Sequence, residues 1–193
     1  MSGVLAKFQQ SDLLAWLASE GRVFYASDAD QDDLVTGQTS FANTTPTFLL
    51  HVPTGTTAMP LMMSLTQAGS VAAGAIDVIM EIDNATRYSS GGTAETVLAA
   101  RTTGAQTNLC SLYSGATAAA GYGVRTGFWR QGADVSPGAD AAYPGTPVLW
   151  SPVAGLDYLV GPAAWAVYTF AAGTGPTWAW TFKWAEFPTE WLT

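Results

Sequence analysis

Hydrophobic and polar side chains alternate most strongly near the end of the chain. Trp178, Trp180, Phe182, Trp184 and Glu186 fall on one parity, and Ala179, Thr181, Lys183, Ala185 and Phe187 on the other. A period of two is a strand signature, because successive side chains of a strand point to opposite faces; a helix would scatter the rings around its circumference. Residues 165–170 form a second β-rich run, and 171–176 between them, with two glycines and a closing proline, read as a hairpin loop. The expectation is a long C-terminal hairpin whose last strand carries a row of rings. That row needs a large apolar surface to lie against, supplied by a second sheet or a neighbouring subunit, and is expected to be buried.

The same punctuation recurs upstream. Residues 22–26, 47–52, 58–66, 75–83, 108–113, 124–131 and 147–151 are further short β-rich runs, separated by turns rich in Gly, Pro, Ser and Asn. Residues 93–103 fit a strand or a short helix, and their β surroundings favour the strand. Pro60 predicts that its run begins as an edge or carries a bulge. In 75–83, Ile76, Val78, Met80 and Ile82 share one face, while Asp77, Ile79, Glu81 and Asp83 share the other. Strands of this number and spacing predict an all-β fold, an antiparallel β-sandwich of jelly-roll type with a short N-terminal helix. An immunoglobulin-like sandwich fits less well, since it normally needs only about 100 residues.

The helix comes first. Ser11 or Asp12 can cap it, Leu13, Trp16 and Leu17 make an apolar stripe at i, i+3, i+4 spacing, and Gly21 stops it. Residues 1–20 are read as an N-terminal arm with this helix, and 21–193 as one jelly-roll domain whose strand pattern is complete without the arm. Two placements fit the stripe. It can lie over an open end of its own sandwich, as amphipathic surface helices do. It can instead dock on a neighbouring subunit, with Trp16 at the centre of the contact.

Composition narrows the partners. The chain is 48% hydrophobic and only 11% charged, against roughly 25% charged for an ordinary globular domain, so much of its surface is expected to be covered by a partner or another copy. A net charge of −8, with seven basic residues and no two adjacent, argues against nucleic acid and anionic membranes. Cys110 is the one cysteine, so no intrachain disulfide forms. No stretch reaches the ~18 apolar residues of a membrane span, and the N-terminus has no signal-peptide core, which predicts synthesis in a cytoplasm.

Candidate chemistry is sparse. Asp28, Asp30, Asp32 and Asp33 crowd together, the first three at the alternate positions of calcium-loop ligands, yet Asp33 and Thr39 stand where that loop needs glycine and glutamate, so a solvated acidic loop is expected. His51, the one histidine, has no nucleophile or acid marked beside it. Asp77, Glu81 and Asp83 share a strand face, but acid/base pairs flank a substrate from different elements rather than side by side. They are expected to form a solvated face partly neutralised by Arg87 or Arg101. No catalytic residue, cofactor or metal is predicted.

Two stretches carry a resemblance: Phe48-Leu-Leu-His-Val-Pro-Thr-Gly-Thr-Thr-Ala-Met-Pro-Leu61 and Trp178-Ala-Trp-Thr-Phe-Lys-Trp-Ala-Glu-Phe-Pro188. Set in an acidic, disulfide-free, aromatic-rich sandwich, they resemble structural proteins from the outside of viruses. The groups meant are single jelly-roll capsid proteins and the trimeric decoration proteins of tailed bacteriophages. The resemblance implies a virion structural protein, a capsid decoration or cement protein or a minor capsid component, made in the host cytoplasm and located in the virion. Its implied partners are itself, as a homotrimer, and other virion proteins; no functional residue carries over. A carbohydrate-binding β-sandwich module is the alternative, because eight Trp, seven Tyr and eight Phe could form a sugar-stacking platform. An enzyme is the third class, without a nucleophile–base or metal constellation to support it.

Overall fold

A computed structural model describes residues 10–28, 33–68, 75–121, 125–134, 147–152 and 157–192. Helix α1 (Gln10–Ser19) leads into β1 (Val23–Ser27) and the short β2 (Val35–Thr36). Then come β3 (Phe48–Val52), β4 (Thr56–Gln67) and β5 (Ala75–Asp83). A series of short strands follows: β6 (Tyr88–Ser90), β7 (Thr93–Ala94), β8 (Leu98–Ala99), β9 (Ser111–Ser114) and β10 (Thr117–Ala118). The chain continues through β11 (Arg125–Asp134), β12 (Val148–Trp150), β13 (Leu159–Val160), β14 (Ala163–Ala171) and β15 (Thr177–Pro188), and a 3-10 turn spans Thr189–Leu192.

One sheet has the order β12-β4-β15-β1-β8, with β13 also on β4 and β2 on β15; the other has the order β11-β5-β14-β3-β9-β7. Their ladders are antiparallel. The central quartets β1-β15-β4-β12 and β3-β14-β5-β11 have the strand order of an eight-stranded jelly roll. Along the chain, each step between these strands crosses to the other sheet except β5 to β11.

The crossing corrects the expected C-terminal hairpin. β14 pairs with β3 and β5, whereas β15 pairs with β1 and β4, so consecutive strands sit in opposite sheets. The cause is that both strands carry inward rings. Paired side by side, they would aim those rings the same way; across the gap they pack on each other, with Trp165 and Phe182 at 5.2 Å between centroids. The connection passes so close to the neighbouring loop that a Cβ on Gly175 would strike the Gly37 carbonyl.

The row itself is buried. Trp178, Trp180, Phe182 and Trp184 are 1%, 4%, 1% and 0% exposed, and the second sheet is what covers them. Phe48 of β3 lies 5.2 Å from Trp180 and 4.9 Å from Phe182, and Trp150 lies 5.6 Å from Trp165. Two buried threonines serve the polar edge of this packing. Thr169 Oγ1 accepts from Trp178 Nε1 at 2.9 Å and lies 2.9 Å from Thr47 Oγ1, which accepts from the Thr169 N–H at 3.0 Å. Pro60 falls at a bulge: Lys183 opposes Met62 but Trp184 opposes Pro60, leaving Leu61 as the extra residue. There, between the stretches of β4 that pair with β12 and β13, a missing N–H costs no ladder bond.

Each outer face is covered in part by the chain itself. On β15, Ala185 and Phe187 point away from the rings and join Val23 and Met59 under Leu13 and Leu17 of α1. A Schellman end turns the helix back: Arg22 N–H donates to Leu17 O and Gly21 N–H to Ala18 O, with Gly21 at φ 70°. On the other sheet, Leu49, Ala164, Ala166 and Tyr168 pack with Ala116, Tyr88 and Tyr113. Buried Arg87 fastens these loops, bonding Asp83 at 3.0 Å and the Asn43 carbonyl at 2.8 Å, which also accepts from Tyr168 at 3.0 Å. Residues 93–103 hold only the two-residue strands β7 and β8 rather than the continuous strand expected.

Candidate functional site

The predicted interaction stripe lies mostly inside the fold. Leu13 is 3% and Leu17 0% exposed, both against the chain's own sheet, on its outer face rather than over an open end of the sandwich. Trp16 is half-buried, its ring 5.1 Å from that of Trp191 in the C-terminal 3-10 turn. Trp191 in turn stacks on Phe187 at 6.1 Å and 8°, with the Arg22 guanidinium carbon 4.5 Å from its ring centroid. Residues 1–9 of the expected arm lie outside the described residues.

Two of the three carboxylates of β5, Asp77 and Asp83, are drawn into ion pairs, and Asp83 is buried rather than on the solvated face expected. Asp83 is buried on Arg87, and Asp77 receives Arg130 at 2.7 Å. Arg101, the other expected partner, instead donates to the Ser19 carbonyl at 2.5 Å. His51 sits between Ser111 and Ala164 on neighbouring strands, and burial lowers its pKa below the ordinary value. Among the described residues its buried Nδ1 has no hydrogen-bond partner, so the third group that orients a catalytic base is lacking there.

In the acidic loop, 29–32 lie outside the described residues, so Asp30 and Asp32 have no placement here. Asp28 and Asp33 reach electrostatically to Glu95, whose pKa is raised first by burial and then by these two charges, against a hydrogen bond with Ser114 that lowers it. Among the described residues no three ligating side chains converge on a metal position.

Glu186 is the group the sequence pattern passed over. It is 3% exposed, at the end of the ring row and on its parity. Its carboxylate accepts from the Leu109 N–H at 2.6 Å, the Cys110 N–H at 3.2 Å and Trp184 Nε1 at 2.7 Å. These bonds tie the segment before β9 to β15. Burial raises its pKa above 4.5, partly offset by those donors. The signal was present in sequence, as an acid continuing a row of rings.

The open part of the β15 sheet lies beside α1. A groove of about 470 Å³ is lined by Leu14, Ala18, Leu61, Met62 and Lys183 among others, and next to it a shallow depression of about 450 Å³ by Ser27, Ser64, Thr66 and Thr181. Neither holds the row of exposed rings that a sugar platform needs. Among the described residues the exposed rings, Phe41 and Tyr158, stand apart, one against Tyr168 and the other beside Phe187.

No protein-family model matches the chain, and no curated protein does. Among solved structures, the infectious bursal disease virus Gx strain aligns over 88% of this chain and 42% of its own, at 14% identity and a TM-score of 0.22. The VP2 subviral particle of infectious bursal disease virus aligns over 89% and 43%, at 14% identity and a TM-score of 0.21. The chain thus spans less than half the length of either, and at such TM-scores the likeness carries no weight below.

Two outcomes follow. Deleting residues 1–19 uncovers Val23, Met59, Ala185 and Phe187, and should lower the melting temperature by roughly 10 °C, about 3–5 kcal/mol in a domain of this size. Unchanged melting with lost self-association would make the segment an arm. For Glu186 the folded pKa lies above the unfolded one, so its contribution is full below the unfolded value and is lost as pH rises through the folded one. Glu186→Gln should therefore gain stability relative to wild type as pH rises above the ordinary carboxylate range in urea titrations; parallel pH profiles would contradict this.

Proposed function

We propose that the chain is a structural protein of a virion, a capsid decoration or cement protein or a minor capsid component, acting through symmetric assembly and not through catalysis. The observation that carries the reading is the topology: quartets β1-β15-β4-β12 and β3-β14-β5-β11 form the jelly roll that viral capsid domains use, as lectins and cupins also do. Buried rings favour it over the sugar-binding module, because Trp178, Trp180 and Trp184 have no free face to stack on a glycan. Copies of itself and other virion proteins are the proposed partners, and a trimer on a capsid symmetry axis the proposed form.

Light scattering coupled to sizing, at tens of micromolar and physiological salt, tests the assembly. The expected particle is a multiple of the 20.2 kDa chain, three copies for the trimer. A compact monomer under those conditions would overturn the reading, and retention on insoluble polysaccharide would favour the sugar-binding module.

A further inference from the structure

Among the described residues β11 is held on one side only. It pairs with β5 through nine registered positions, from Arg125 opposite Asp83 to Asp134 opposite Ala75, and among the described residues no strand occupies its other edge. Among the described residues this ten-residue strand leaves a row of N–H and C=O groups without a ladder, a template for pairing with another chain; edges of that length are usually shortened, covered, bulged, or blocked by charge or proline. β11 has one bulge, at Phe128, and no lysine or proline.

The sequence of this strand is nearly the same kind of chain read in both directions. The ladder to β5 steps from Gly127 to Trp129, so Phe128 is the bulged residue. With Phe128 set aside, antiparallel pairing of β11 with a second β11 puts Arg125 opposite Asp134, Thr126 opposite Ala133, Gly127 opposite Gly132 and Trp129 opposite Gln131, about a twofold axis at Arg130. Each off-axis pair then occurs twice. Opposed residues fall on matching faces, because Arg125, Gly127, Arg130, Gly132 and Asp134 lie across from Asp83, Glu81, Ile79, Asp77 and Ala75, alternate positions of β5.

Charge selects a second copy as the occupant. Each chain carries −8, and two of its seven basic residues, Arg125 and Arg130, lie in this strand with one acid, Asp134. Elsewhere acidic surfaces repel; along this edge an arginine position meets an aspartate position. The two Arg130 side chains at the axis are each already neutralised by their own Asp77, at 2.7 Å. The glycines agree. Within one copy a Cβ on Gly127 would meet nothing within 4 Å, and one on Gly132 only ordinary contacts at 3.9 Å. Packing inside the monomer therefore does not require either glycine, and close approach of another backbone is a known reason for glycine in a strand.

We propose that two copies join through β11, edge to edge and antiparallel, making one continuous sheet with six strands from each. The inference rests on the self-assembly part of the proposed function. An isologous contact closes pairs and a trimer needs a different, heterologous surface, so a symmetric shell can use both.

The test measures self-association of the full chain by sedimentation. Arg125→Asp sets like charges opposite each other twice and should weaken association roughly tenfold or more, equivalent to about 1.4 kcal/mol; Arg125→Asp with Asp134→Arg should restore it. Gly127→Lys with Gly132→Lys has room in the monomer and places the new lysines near Glu81 and Asp77, so melting should hold while pairing is lost. This variant decides the matter should Arg125→Asp fail to fold. Association unchanged in the lysine variant overturns the edge contact while leaving assembly standing. A wild-type protein that stays monomeric overturns both.

Discussion

Four large rings on one face of β15 would expose several hundred square ångströms of apolar surface if that face met water, more than a soluble monomer ordinarily shows. The fold is arranged so that they do not. β15 lies inside its sheet, between β4 and β1, and β14 lies inside the other, between β5 and β3. The two most aromatic strands thus face each other across the core, and the short link between them has to cross from sheet to sheet. Jelly-roll winding repeats that crossing at every step between the eight strands except β5 to β11.

A sandwich of two sheets still has two outer faces. Here α1 covers part of one, and the segments around Asn43, Tyr88 and Ala116 cover part of the other, anchored by buried Arg87 on Asp83. Such an ion pair stabilises little compared with an apolar replacement, but loss of one member leaves the other's charge buried and uncompensated. Self-covering also accounts for some of the low charge of the chain. Apolar residues occupy both parities of β14 because Trp165 faces the core while Tyr168 faces the loops, with no neighbouring molecule required.

Much of the architecture was legible from periodicity. The alternation in 75–83 coincides with β5, that of the ring row with β15, and Pro60 marked a bulge. What local pattern does not encode is which strand lies beside which. The strands ending at Ala171 and starting at Thr177 looked like a hairpin because the five-residue link between them fits either a turn within a sheet or a step between sheets. Two-residue strands such as β7 and β13 leave too few positions for a period to register. Among the site candidates, Leu13, Trp16 and Leu17 were visible as a stripe, but the stripe says only that it must be covered and not by what. Glu186 was visible as an acid on the parity of the rings, but a carboxylate there makes sense only once the Leu109 and Cys110 amides are known to reach it.

The dependence of the whole on the ring row is tested most directly by Trp180→Ala, with unfolding free energy measured by denaturant titration. A ring this deep, flanked by Phe48 and Phe182, should cost roughly 3–5 kcal/mol on removal. A loss below about 1 kcal/mol would contradict the account, because the row would then not be what the two sheets close on.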